Sequence, residues 1–336
     1  MRTVVNVAEL AKPDWNFIQD IYPDSHGINW QYFTATPKNR LERLIKRPKL
    51  SRYRACWQAA RALQQEQDII ISHMPRLTHW QSVLLHMTGK RNRHLAFSFN
   101  FTQLPGATLQ RAMHRSLARV EQFVVYSAFE RQRYATYFDL PIEKFHHLFW
   151  AMDPPRTDEN FPLPDTEYYC AAGGEGRDYA TLLEAFRRLP HLKLVIVTRP
   201  HAMQGLTPPD NVSVLFNLDN RAFWRIIQQS QALIVPLLDD QTACGHITLV
   251  GAMQLGVPII SSFSHGTEDY LLTDHNSLVT PNRDGLALTR AIERLQETPQ
   301  LARQLTDNAA QFAQTHCNPV RWAQHIQHFV TCTPPS

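Results

Sequence analysis

An α/β fold built on parallel sheets and divided into two domains is what this sequence predicts, and three observations carry the prediction. Short apolar runs at 232–237 and 257–261 bracket a loop and a helical stretch at about 246–255, a strand–helix–strand crossover. Apolar runs of strand length alternate with helix-period segments along the rest of the chain. The length, 336 residues, suits two domains of ordinary size.

In chain order, residues 2–7 form a first strand, followed by a loop through Lys12, Pro13 and Asp14 that lacks glycine, and 28–34 a second. The segment from Lys38 to Arg61 then carries nine Lys or Arg against one acid, Glu42. Leu41, Leu44 and Ile45 share one side of a short helix that Pro48 ends, and Leu50, Tyr53, Trp57 and Ala60 line one face of the next. Basic residues flanking an apolar stripe fit an interfacial helix on anionic lipid, and equally a core helix with a solvated basic face. Strands follow at 68–72 and 95–101. Open α/β sheets bind ligands at the C-terminal ends of their strands, so His73, Asn100 and Thr102 are candidate acceptor-side residues, with strand-end capping as the alternative for His73 and Asn100. Arg111, Arg115 and Arg119 fall at i, i+4 and i+8 and read as a solvated helix face. After a strand at 122–126, Ser127 and Glu130 form a capping box opening a helix over 128–138. A proline-rich linker covers 154–164.

The second half opens with a strand at 167–172 and a cluster of Gly173, Gly174 and Gly176 just ahead of Arg177 and a helix over 181–188. Glycines between strand and helix let the backbone approach a ligand closely. A strand at 192–198 ends at Arg199, and one at 211–217 ends at Phe216, Asn217 and Leu218. In the crossover unit, Gly245, His246, Ile247 and Thr248 mark a helix start, where unpaired N–H groups and the dipole suit a phosphate. His246 either donates to that phosphate or is a solvent-exposed loop residue. Helices at 284–297, 301–316 and 319–332 close the chain, the last with Trp322, Ile326 and Phe329 on one face.

Residues 1–150 hold 21 Lys+Arg against 11 Asp+Glu and the remainder 13 against 19, a basic half joined to an acidic one. That imbalance points to an anionic partner for the first half, a membrane surface ahead of nucleic acid, because no zinc-finger spacing or RNA-recognition signature is present. No apolar run is long enough to span a bilayer and the N-terminus lacks a signal-peptide layout. Five scattered cysteines without a CxxC pair predict reduced thiols, no zinc site and a cytoplasmic protein, which the basic segment at Lys38–Arg61 could hold on the inner face of the plasma membrane.

The stretch Ala252-Met253 … Gly256-Val257-Pro258-Ile259-Ile260, then Gly266-Thr267-Glu268-Asp269-Tyr270, then Asn276 before an apolar strand, resembles the donor-binding half of family 4 glycosyltransferases. Residues 120–153, ending in a Trp150-Ala151-Met152-Asp153 hinge, are similar to that family's last N-domain segment. The resemblance implies a GT-B fold: two Rossmann-like domains whose parallel sheets face a central cleft. It implies an acceptor-side domain at 1–153, a nucleotide-sugar domain at 165–318 and a final helix at 319–336 packing back on the first. It implies sugar transfer from a UDP- or GDP-linked donor to a glycan or lipid-linked acceptor in polysaccharide or glycolipid synthesis, with retention and with neither metal nor cofactor. Arg177 and Arg199 would clamp the diphosphate, although for Arg177 a salt bridge to Asp178 or Glu184 stays open. Gly173, Gly174 and residues 245–248 would line the donor, and Phe216, Asn217 and Leu218 would hold the base. One departure is large: the family's Glu-(x7)-Glu pair falls on Ala243 and Gly251. Asp239, Asp240 or Gln241 could substitute, or the chain could be a catalytically silent GT-B protein that binds nucleotide or serves as a partner subunit.

Overall fold

The structure, a computed structural model, describes residues 2–9, 27–45, 49–241 and 243–332. The loop at Lys12–Asp14, and Lys46, Arg47 and Pro48 of the basic segment, lie outside the described residues. The chain divides into two compact units, Met1–Phe149 with Pro319–Ser336, and Trp150–Asn318.

The first unit is built on strands β1 (Arg2–Ala8), β2 (Ile28–Thr34), β3 (Ile69–His73), β4 (Arg93–Phe97), β5 (Gln122–Val125) and β6 (Phe145–His147). They lie in the order β2-β1-β3-β4-β5-β6 with every pair parallel. Their helices are α1 (Arg40–Leu44), α2 (Leu50–Ala62), α3 (Pro75–Met87), α4 (Ala107–Leu117), α5 (Ala128–Phe138) and, from the end of the chain, α11 (Pro319–Thr331). Val5, Val7 and Ile70 pack with Ala55, Cys56, Ala59 and Leu77 into one core. The face of α2 differs from the expected stripe. Its small residues meet the sheet, which lets the helix approach closely, while Tyr53 packs edge-on against Trp80 at 4.7 Å and Trp57 stays 49% exposed. Leu41 and Leu44 of α1 also point outward, 60% and 79% exposed. The basic segment is partly self-neutralised: Arg54 pairs with Glu42 at 2.7 Å and Arg52 with Glu9 at 2.6 Å.

The last helix, α11, completes the first unit. Trp322 lies against Phe97 (5.2 Å) and Tyr126 (5.6 Å), and its indole N–H donates to the Phe149 carbonyl at 2.8 Å. Arg93 stacks over Phe329 at 4.3 Å and donates to that residue's carbonyl. Residues spaced three and four apart thus bury the face that periodicity indicates.

In the second unit the strands are β7 (Tyr169–Ala172), β8 (Leu194–Thr198), β9 (Val212–Phe216), β10 (Leu233–Val235), β11 (Ile259–Ser262) and β12 (Leu278–Thr280). Their order is β12-β11-β10-β7-β8-β9, again parallel throughout. Helices α6 (Tyr179–Arg188), α7 (Asn220–Gln228), α8 (His246–Gln254), α9 (Gly285–Glu297) and α10 (Pro299–His316) accompany them. Strands buried on both faces read as unbroken apolar runs, which is why β8, β10 and β11 stand out in the sequence. Residues 154–164, expected as a linker, pack on this unit: Glu159 pairs with Arg225 at 2.7 Å and the Asp158 N–H donates to the Arg221 carbonyl. No helix among the described residues is long and apolar enough to cross a membrane.

Candidate functional site

In the second unit the C-terminal ends of β10, β7, β8 and β9 lie side by side, so the loops that follow them are neighbours. After β7 the chain turns through Gly173 at φ +127°, a conformation that only glycine adopts without strain, and its N–H donates to the Val197 carbonyl of β8. Arg177 then folds back over this turn. Its Nε donates to the Ala172 carbonyl at 3.2 Å, and its Nη1 to the Glu175 carbonyl at 3.1 Å and to Cys244 Sγ at 3.3 Å. The guanidinium lies so close to Gly173 that a Cβ there would be 2.7 Å from Nη2; a Cβ on Gly245 would be 3.5 Å from the same atom. Asp178 caps α6 through Thr181, and Glu184 pairs with Arg188. Neither carboxylate neutralises Arg177, so the surface salt bridge left open for it is not what the structure contains.

Arg199, at the end of β8, lays its stem across Gly174, where a Cβ would stand 3.0 Å from Cγ and Cδ. Two arginines therefore rest on two consecutive glycines. Glu175 pairs with Arg199 and with His201, each at 3.4 Å, in exposed positions where such pairs contribute little. Beside them, β9 ends at Phe216, 46% exposed, and Asn217, which holds φ +53°. Gly245, at φ +103°, precedes α8, whose first turn is His246, Ile247 and Thr248. The first N–H groups of a helix have no partner within it, and here they start beside Cys244, the residue that Arg177 touches.

The His246 ring is not a solvent-exposed loop histidine. It is buried, packs at a tilt against Tyr270 with ring centroids 4.9 Å apart and pairs through Nε2 with the Gly266 carbonyl at 2.7 Å, so its ring anchors the 264–270 loop. Asn276 staples the same loop, donating to the Tyr270 carbonyl and accepting from the Leu272 N–H.

The two positions that lack the resembled carboxylates differ in their surroundings. Ala243 is buried with its Cα 2.5 Å from where a Cβ on Gly266 would be. A Cβ on Gly251 would lie 2.2 Å from Cη2 and 2.4 Å from Cζ3 of Trp224, a buried side chain of α7. The volume beside Gly251 is taken by an indole.

The first unit separates its three candidates. His73, at the end of β3, is buried against Phe97 (ring centroids 5.6 Å apart), and desolvation lowers its pKa to about 3, so its ring is neutral. Asn100 donates its amide to Glu130. Thr102 alone is exposed. Glu130 proves more than half of a capping box. Fully buried, it also accepts from the Tyr126 N–H (3.0 Å), Ser127 Oγ (3.3 Å) and the Tyr134 hydroxyl (2.7 Å), and Tyr134 in turn accepts from the Phe101 N–H. Met74 and Ser98, just past β3 and β4, hold left-handed backbone at φ +74° and +53°, and such outliers concentrate at functional sites. Trp224, Cys244, His201 and Glu130 are the residues that sequence reasoning missed or read too narrowly.

Residues 169–312 match the sequence model of a family described as glycosyl transferases group 1. Comparison with curated proteins gives no match. Among solved structures, sucrose-phosphate synthase from Thermosynechococcus elongatus superposes with a TM-score of 0.73 at 16% identity, covering 98% of each chain. Anabaena Alr3699/HepE in complex with UDP and glucose gives 0.73 at 13% identity over 99% of this chain and 100% of that one. A UDP-forming α,α-trehalose-phosphate synthase from Burkholderia xenovorans gives 0.71 at 14% identity over 100% of both. The fold is that of GT-B glycosyltransferases, two parallel-sheet α/β domains. The family match across the second unit supports a glycosyltransferase of this type.

Proposed function

We propose that the chain transfers a sugar from a UDP- or GDP-linked donor to a glycan or lipid-linked acceptor, with retention and without a metal, in polysaccharide or glycolipid synthesis. The observation that carries this is the convergence of Arg177 and Arg199 on Gly173 and Gly174 beside the start of α8. In the reaction the bond from the anomeric carbon to the diphosphate oxygen breaks, the acceptor oxygen bonds that carbon and loses its proton, and a nucleoside diphosphate departs. Its developing charge needs preorganised cations, and guanidinium groups bind phosphate bidentately. Phe216 offers an exposed aromatic plane for the base. Calorimetric titration should detect UDP or GDP binding. Arg177→Ala is expected to weaken it by about 1.5–3 kcal/mol, and Arg199→Ala by less, because Arg199 is exposed and loosely held. Unchanged affinity in both variants with the fold intact would overturn the reading.

The catalytically silent alternative is favoured by one observation: the volume beside Gly251, one of the two carboxylate positions, is occupied by the Trp224 indole. Nucleoside diphosphate release from nucleotide-sugars separates the two. Binding with no turnover, across donors and acceptors, would make the chain a nucleotide-binding relative.

We also infer that the segment from Lys38 to Arg61 holds a cytoplasmic protein on the inner face of an anionic membrane. Support comes from Leu41, Leu44 and Trp57, exposed apolar side chains set among Arg40, Arg43 and Arg61. Leu41→Asp/Leu44→Asp should at least halve co-sedimentation with phosphatidylserine vesicles at low salt. Full recovery with vesicles would assign the patch another role.

A further inference from the structure

The stripe of Arg111, Arg115 and Arg119 does not survive folding as a stripe. α4 ends at Leu117, so Arg119 leaves the helix face and turns to a cavity of about 330 Å³ in the first unit. Lys90 and Arg91, from the loop between α3 and β4, line the same cavity, and its lining contains no carboxylate. The floor is polar and buried: Ser82 and His94. His94 is held between two hydroxyls, Ser72 Oγ at 2.7 Å and Ser82 Oγ at 3.1 Å, and burial lowers its pKa to about 3, so it adds no charge. Lys90 is fixed by donating Nζ to the Leu63 carbonyl. Arg91 and Arg119 are exposed and make no hydrogen bond or ion pair with any described residue.

Three like charges around one cavity repel one another unless a counter-charge sits among them. Two guanidinium groups without intramolecular acceptors supply the planar, bidentate donors that phosphate oxygens match. We propose that this cavity binds a phosphate-bearing ligand, held by Arg91 and Arg119 with Lys90 as a fixed third cation. The site lies near the N-terminal end of β4, where His94 is the second residue, whereas Thr102 and the other candidate acceptor residues follow the C-terminal end of its sheet. It is therefore a second anion site, independent of donor binding. A soluble phosphate ester and a lipid headgroup share the required chemistry.

The test uses the full chain carrying Arg177→Ala, so that phosphate has no diphosphate clamp to occupy, with and without Arg91→Ala/Arg119→Ala. In the first arm inorganic phosphate is titrated by calorimetry. Losing both guanidinium contacts should lower its affinity at least about tenfold. In the second arm the two proteins are floated with vesicles containing phosphatidic acid or phosphatidylserine at equal surface charge. A preference for phosphatidic acid that disappears in the arginine variant assigns the ligand to a lipid headgroup. Loss in the phosphate arm alone assigns it to a soluble phosphate. Equal behaviour of the two proteins in both arms overturns the proposal. UDP affinity, measured without Arg177→Ala, should not change on Arg91→Ala/Arg119→Ala.

Discussion

Replacing Glu130 with alanine is expected to destabilise the first domain by about 4 kcal/mol, since buried donors left without an acceptor cost roughly 1–3 kcal/mol each. The carboxylate is fully buried and accepts from Tyr126, Ser127, Tyr134 and Asn100. Ser127 can turn its hydroxyl elsewhere and Asn100 is half exposed, so the Tyr126 N–H and the Tyr134 hydroxyl dominate the loss. Burial already raises the Tyr134 pKa well above the ordinary tyrosine range, and the Glu130 charge raises it further, so this hydroxyl stays protonated and needs an acceptor. Glu130→Gln keeps one carbonyl oxygen and should cost about half as much. Hydrogen exchange read separately in the two domains is the measurement. Protection should fall in β4, β5 and α5, with the Asn100–Phe101 amides released first, while β7–β10 stay as they were. Unaltered protection in the first domain would mean that the network is dispensable.

That network also marks where sequence reading stops. Most of the parallel strands were legible because they are apolar runs closed by glycine, proline or a polar residue, whereas β6, three residues with two histidines, gives no such signal and was missed. The loops after β7, β8 and β9, the candidate donor loops, were legible for the same reason, since the strand-end rule needs only the order of elements. What a pattern does not carry is which side chains from distant segments share a volume. Ser127 and Glu130 declare a capping box three residues apart, whereas Asn100 reaches the same carboxylate from thirty residues away in sequence. His73 satisfied the strand-end rule and still turned inward, its ring against Phe97, which in turn meets the Trp322 ring of α11. On α2 the large residues suggested the core face, but alanines and Cys56 fill it, since a helix lying close to a sheet has room only for small side chains.

Gly251 gives the second large effect, and it reverses what a missing side chain suggests. A glycine where the resembled family would have a carboxylate invites the expectation of a gap that glutamate could refill. The indole of Trp224 occupies that volume, with ring atoms 2.2 and 2.4 Å from the position of a Cβ on residue 251. Alanine at 251 gains about 1 kcal/mol of helix propensity yet meets a buried ring that has nowhere to go, and overpacking of this kind costs about 1–3 kcal/mol or more. Gly251→Glu adds an unpartnered buried carboxylate and should cost more than about 3 kcal/mol, seen as a lower denaturant midpoint and a loosened second domain. Trp224→Ala alone should cost about 3–5 kcal/mol through the cavity it leaves. If the two side chains compete for one volume, Gly251→Ala/Trp224→Ala will be more stable than the sum of the single losses by at least about 1 kcal/mol. Additive losses would show that the volumes are separate. The double variant Gly251→Glu/Trp224→Ala then asks the functional question with the steric conflict removed. Nucleotide-sugar affinity that rises in that variant alone would mean that the indole displaced a ribose contact. Transfer that falls while the fold holds would mean that the donor arrangement now depends on Trp224 itself.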